Sequence, residues 1–282
     1  YVGILQSALG VIDTKKHGYG ELFNEINRHT GGIGTSLELY PDVTKVKEKE
    51  FKATFEIKGK ALYGQIPFAI RMMKEILTAS KLDDEKRLKE ILSMTKTRLQ
   101  DRFLSAGHSA AALRAMSYKS PISKFKDTTN GIEYYQNIRE MEEHFDEKKE
   151  EIISGLKALS ELLFRKGNVM ISYTASREGL AVLEEEIGSL KEALYPERTP
   201  ESRCILHCEK KNEGFKTSSK VQFAAKAGNF IDAGEEYNGA LQILKVIMSY
   251  EYLWINIRVK GGAYGCMSNF NRIGEGYFVS YR

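Results

Sequence analysis

Five histidines, His17, His29, His108, His144 and His207, are the residues from which a hydrolytic metal centre would be built. Such a centre needs two imidazoles at i and i+4 on one helix with a carboxylate between them, as in H-E-x-x-H or the inverted H-x-x-E-H, so that both rings aim at one ion. None of the five has a second histidine three to five residues away, so a local zinc motif is absent. Cys204, His207 and Cys208 form C-x-x-H-C, a metal-like spacing whose fourth ligand would have to come from Cys266 or a distant carboxylate. The plainer reading of that triplet is ordinary residues of a linker and a strand. No G-x-S-x-G occurs, and no cysteine sits in a recognisable nucleophilic setting. The glycine-rich pieces Gly31 to Gly34 and Gly261 to Gly265 follow helices and precede strands. A phosphate cradle needs the reverse order, because a helix N-terminus holds the anion. Glycine after a helix instead relieves left-handed backbone geometry.

What remains is the stretch Tyr252 to Gly265, YLWINIRVKGGAYG. Arg258 and Tyr264 flank a Gly-Gly turn, and Gly261 and Gly262 allow a peptide backbone or a partner domain to approach. A guanidinium fork and a phenol suit a carbonyl oxygen that gains charge during amide hydrolysis. On spacing alone, a surface arginine and a half-buried tyrosine on a strand explain the same residues.

The chain around these groups has 282 residues, 42% hydrophobic and 28% charged, with 42 basic against 38 acidic side chains and a net charge of +4. That composition fits a folded protein of about two domains and excludes collagen-like or strongly disordered classes. The mild charge, spread along the chain, points to neither nucleic acid nor an anionic membrane. Three cysteines suit a reducing compartment, the cytoplasm by default. No signal peptide opens the chain, and no apolar run reaches the length of a membrane span. Both ends read as cut through elements, which is the expectation for a piece of something longer.

An internal similarity organises the chain. Tyr1 to Gln6, YVGILQ, returns as YNGALQ at Tyr237 to Gln242, an offset of 236. Leu22-Phe23 and Gly31-Gly32 return as Leu253-Trp254 and Gly261-Gly262, at 231 and 230. Each copy reads as an apolar helix, a second amphipathic helix, a Gly-Gly break and a strand. Between the copies, Phe51 to Lys58 alternates as a strand with one wet face. Helices follow from Pro67, from a start at Leu82 to Glu85, near Ser109 to Tyr118, and through a long region from Asn130 to Lys166. Asn168 to Thr174 reads as a buried strand and Arg177 to Tyr195 as a helix. A linker then leads to a strand within Ser218 to Phe230, with Val221, Phe223 and Ala225 on one side. This order is α+β rather than regularly alternating.

The string EYLWINIRVKGGAYG, with Gly276 and the closing SYR, resembles the last homologous domain of the insulinase (pitrilysin-type) zinc metallopeptidases, in particular the presequence-protease and falcilysin branch. YGEL at Tyr19 to Leu22 and GGI at Gly31 to Ile33 resemble the third domain of the same proteins. The resemblance implies two antiparallel-rich, helix-packed domains of the insulinase-peptidase (LuxS/MPP-like) fold. They would be a third domain over residues 1–195, a linker over 196–217 and the first part of a fourth, truncated domain over 218–282. It implies a zinc-dependent endopeptidase for short unstructured peptides, with the zinc bound by the N-terminal half of the same polypeptide and none in this chain. This C-terminal part would be inactive alone and would close the chamber. Arg258 and Tyr264 would serve as the catalytic contacts that stabilise the oxyanion, and Gly261 and Gly262 as substrate-binding positions. The absence of a zinc motif is what such a half would have. The cytoplasm stays the default location, with an organelle open through the branch. The rival from another class is a catalytically inactive insulinase-like scaffold or interaction subunit.

Overall fold

A computed structural model describes residues 1–197 and 205–282. They fall into two compact units, each assembled from separate stretches of chain. The first combines Tyr1–Glu38, Thr54–Thr95 and the chain from Arg139 to the end of the first described stretch; the second combines Leu39–Ala53, Lys96–Ile138 and the second described stretch.

In the first unit, α1 (Val2–Ala8) buries Ile4, Leu5 and Ala8, and α2 (Tyr19–His29) buries Leu22 and Ile26. Between them Gly10, Asp13 and Gly18 end one helix and start the next, and the Asp13 carboxylate accepts the Tyr19 N–H at 2.8 Å. Pro67 sits in the first turn of α3 (Ile66–Ala79), where its missing N–H costs nothing. Ile66 and Ile70 of α3 pack on Leu190 of α9 (Arg177–Glu192), with Leu77, Leu183 and Ile187 around them. Glu75 of α3 is buried and meets Nδ1 of His17 at 2.7 Å, while the Thr14 hydroxyl donates to the same carboxylate. This polar knot ties the α1–α2 connection to α3 and satisfies a carboxylate that burial would otherwise penalise.

Strands β1 (Ile33–Pro41) and β2 (Phe51–Gly59) form a hairpin, closed at its base by backbone bonds between Gly31 and Lys60 and near its tip by Asp42 and Glu50. Helix α4 (Glu85–Ser105) begins where Leu82 to Glu85 announces it: the Asp84 side chain accepts the Arg87 N–H at 2.9 Å. Next come α5 (Gly107–Ser117), α6 (Pro121–Asn130), α7 (Ile132–Glu143) and α8 (Phe145–Leu163). The single long region read from Asn130 to Lys166 is therefore two helices, divided at His144. Helix α6 was not foreseen; its signals are local, a Ser120 cap on the Ser123 N–H followed by Pro121.

Asn168 to Thr174 is not a buried strand. It runs without regular structure, Met170 is 78% exposed, and among the described residues no strand lies beside it. Apolar, β-prone residues do not make a strand without a partner edge to bond.

In the second unit, β3 (Phe223–Asn229), β4 (Gly265–Phe270) and β5 (Glu275–Tyr281) form an antiparallel sheet in the order β3-β5-β4. Tyr281 faces Phe223 on one side and Gly265 on the other. Phe223, Ala225 and Ala227 alternate with more exposed neighbours, as the period-two pattern requires. Helix α5 packs against β3 and β5, with His108 stacked on Tyr281 at 5.4 Å between ring centres. Helix α10 (Ala240–Ile247) continues without a break into a π-helical segment, Met248–Val259, where Lys260 N bonds Ile255 O at 3.0 Å. The second copy of the repeat is thus one continuous helix where two were expected. ILKVIMSYEY contains neither glycine nor proline to do what Gly10 and Gly18 do in the first copy.

A Cβ built on Gly107 would lie 2.4 Å from the Phe223 ring, so α5 reaches the sheet only because position 107 has no side chain. Gly107→Ala should cost about 1–3 kcal/mol through overpacking, read as a lower melting temperature. Adding Phe223→Leu should restore part of the loss, and an unchanged melting temperature for the single variant would show that the contact does not form.

Candidate functional site

The π-helical segment ends at Val259, and the chain must reverse within five residues to enter β4. Gly262 makes that possible with φ +72°, a backbone state that L side chains rarely adopt. Gly262 N bonds Arg258 O at 2.9 Å and Ala263 N bonds Ile257 O at 3.1 Å, satisfying carbonyls that a helix end leaves open. At Gly261, a Cβ would meet the Ile257 carbonyl at 2.6 Å. Both glycines are exposed, and the Arg282 guanidinium donates to Gly261 O at 3.2 Å.

This turn brings the candidate side chains together. Arg258 Nη1 donates to the backbone carbonyl of Tyr264 at 2.6 Å, and the guanidinium lies over the Trp254 ring at 4.2 Å. Both contacts fix the fork: the ring face attracts the cation, and the carbonyl takes one of five N–H donors. Tyr264 is itself held by its N–H on Tyr281 O at 2.8 Å, and its side chain is 65% exposed. Guanidinium, phenol and an open glycine backbone therefore share the entrance of β4. Burial pushes the Cys266 thiol, two residues on, up, while Arg258 pulls it down less strongly.

The other candidates are scattered. Cys204 lies outside the described residues, His207 is exposed and Cys208 is part-buried. His29 packs on Phe68, and His144 lies 3.7 Å from Glu147. Among the described residues, no group of three or more His, Cys, Asp or Glu side chains could hold a metal ion. A cluster around Arg114 was missed by sequence reasoning, because Arg114, Asp127, Glu133 and Glu213 come from four separate places in the chain and share no local pattern.

Residues 1–141 match the family model described as Peptidase M16 (subfamily C) associated. The chain belongs to that family. A second model, the PreP C-terminal domain, matches residues 212–282, which contain the Arg258–Tyr264 turn. Protein HypA of Clostridium perfringens is 36% identical over 282 residues, all of this chain and 29% of that protein. Presequence protease 1, chloroplastic/mitochondrial, of Arabidopsis thaliana is 27% identical over 277 residues, 95% of this chain and 25% of that protein. The crystal structure of pitrilysin aligns at 12% identity and a TM-score of 0.49, over 98% of this chain and 28% of that one. The chain thus spans between 25% and 29% of the length of these relatives. Its mixed helices and antiparallel sheets, and its place as a C-terminal piece of an insulinase-family protein, agree with the resemblance read from the sequence. No helix among the described residues is long and apolar enough to cross a membrane.

Gly262→Ala should destabilise the chain by about 1–2 kcal/mol, the cost of a left-handed non-glycine residue. Gly262→Asn should lose less. Urea midpoints at constant m-value test this ordering, and equal midpoints for wild type and the alanine variant would contradict it.

Proposed function

We propose that this chain is the non-catalytic C-terminal part of a zinc-dependent metalloendopeptidase that degrades short unstructured peptides. In this reading residues 1–195 and 218–282 belong to two successive homologous domains joined by residues 196–217, and they close a chamber whose other half comes from the N-terminal part of the same polypeptide. Family membership and the names of the presequence proteases similar over nearly the whole chain support it. The described residues do not fit a zinc ion, and the sequence has no H-x-x-E-H, so we assign the metal to the N-terminal half. The partners of the reading are that half and peptide substrates, with neither nucleic acid nor membrane. The cytoplasm is its compartment unless the polypeptide goes to an organelle, as the names of the Arabidopsis and Yarrowia lipolytica relatives say of those proteins.

The observation that carries the site reading is the Arg258 guanidinium fixed 2.6 Å from the Tyr264 carbonyl, which keeps it beside an exposed phenol. Both are hydrogen-bond donors, and both act on a substrate carbonyl oxygen as negative charge builds on it. Donors already oriented before reaction lower the barrier more than donors that must reorganise. The open backbone at Gly261 and Gly262 lets an extended peptide lie close to them.

Tyr264→Phe in the full-length polypeptide should lower kcat/KM toward peptides on the order of 10²-fold or more, mainly through kcat, with the fold retained. Unchanged efficiency would remove the phenol from the reaction and favour a structural role for the turn.

A further inference from the structure

In the second unit, Arg114 of α5 is 11% exposed and is held from two directions. On the inner side its Nη1 donates to Asp127 at 2.6 Å and to Glu133 at 3.1 Å, and Lys124 also pairs with Glu133. Asp127 is fully buried and also accepts the Ile132 N–H at 2.9 Å, so this side is fixed by two further elements, α6 and the start of α7. On the outer side, Nε and Nη2 form a parallel pair of bonds with both oxygens of Glu213, at 2.8 and 3.1 Å. Tyr118 donates its hydroxyl to the same carboxylate, and the Tyr118 and Phe215 rings lie 5.4 and 5.8 Å from the guanidinium. Burial works against the Arg114 charge, but Glu213 and Asp127 outweigh it and hold that charge above the usual arginine range. The bond from Arg114 keeps Glu213 below the usual carboxylate range, and burial with the Glu213 bond pushes Tyr118 up to about 12.

The two sides differ in what anchors them. Glu213 belongs to residues 205–217, which have no regular structure and are exposed almost throughout; Ile205 is 74% and Phe215 42% exposed. An arm that buries so little apolar surface is held mainly by its one carboxylate, and a carboxylate on a rim-exposed fork exchanges with others.

We propose that Arg114 and Tyr118 form a binding site for a peptide carboxylate, an acidic side chain or a free C-terminus, and that Glu213 is its internal ligand. The inner carboxylates preorganise the fork so that the outer donors stay aimed when Glu213 leaves. Tyr118 supplies a third donor and an aromatic wall for the residue beside the carboxylate. The internal ligand competes at the high effective concentration of a short tether, so outside peptides bind weakly until the arm is released.

The test uses the full polypeptide and the probe acetyl-Glu-Gly-Phe-amide, with its glutamine counterpart as control, by calorimetric titration. Glu213→Gln should bind the acidic probe on the order of tenfold more tightly than wild type, because the competitor is gone, and should leave the glutamine probe unbound. Tyr118→Phe in the Glu213→Gln background, which spares the buried Arg114–Asp127 pair, should weaken that binding. Trypsin cleavage after Lys210, Lys211 or Lys216 should also speed up on the order of tenfold in Glu213→Gln, as the arm opens more often. Equal affinity of wild type and Glu213→Gln, equal binding of the two probes, or unchanged arm cleavage would each overturn the proposal.

Discussion

The left-handed turn at Gly262 is the constraint on which the candidate site depends. The helix from Ala240 to Val259 must stop, reverse and deliver its chain into the edge of a three-stranded sheet within five residues. Only glycine adopts the required backbone without steric cost, and only a side-chain-free position 261 avoids the Ile257 carbonyl. Once the reversal is made, Arg258 in the last helical turn can reach forward to the carbonyl of Tyr264, while Tyr264 is pinned by Tyr281 of β5. The geometry of the two side chains is therefore a consequence of backbone closure. The central strand carries a second dependence: Tyr281 pairs with both neighbouring strands and stacks on His108, so α5 and the turn are referenced to one residue.

Much of this was legible in residue order. Gly-Gly after a helix and before a strand announced the turn, and the alternation within Val221, Phe223 and Ala225 announced β3. Asp84 ahead of a 3.6-residue apolar repeat announced α4. The failures have physical reasons. NVMISYT has the composition of a strand, but strand formation depends on a neighbour that local sequence does not specify, and none lies beside it among the described residues. The second copy of the repeat shares its apolar positions with the first but lacks the glycines that divide α1 from α2, so similarity of side chains coexists with a different backbone. The Arg114 cluster was invisible for a third reason: its members are distant in sequence, and each alone is an ordinary surface charge.

Family membership places these features in one scheme. Two family models fall on the two ends of the chain, one over residues 1–141 and one over 212–282, and the second contains the turn. The side chains at that turn are donors to negative charge, which is what an amide-cleaving enzyme needs beside its reacting carbonyl. The same chain has no set of ligands for a metal among its described residues. Donors without a nucleophile describe a contributing surface, completed by another part of the polypeptide. The Arg114 cluster adds a second kind of chemistry, recognition of a fixed negative charge on a peptide, carried by a different set of elements.

Bound zinc and peptide cleavage, measured for the 282-residue chain beside the complete polypeptide that contains it, decide whether the chain is such a contributing surface. The complete polypeptide should hold one zinc and cleave peptides efficiently, and the chain alone should do neither. Stoichiometric zinc together with peptide cleavage by the isolated chain would contradict this division of labour.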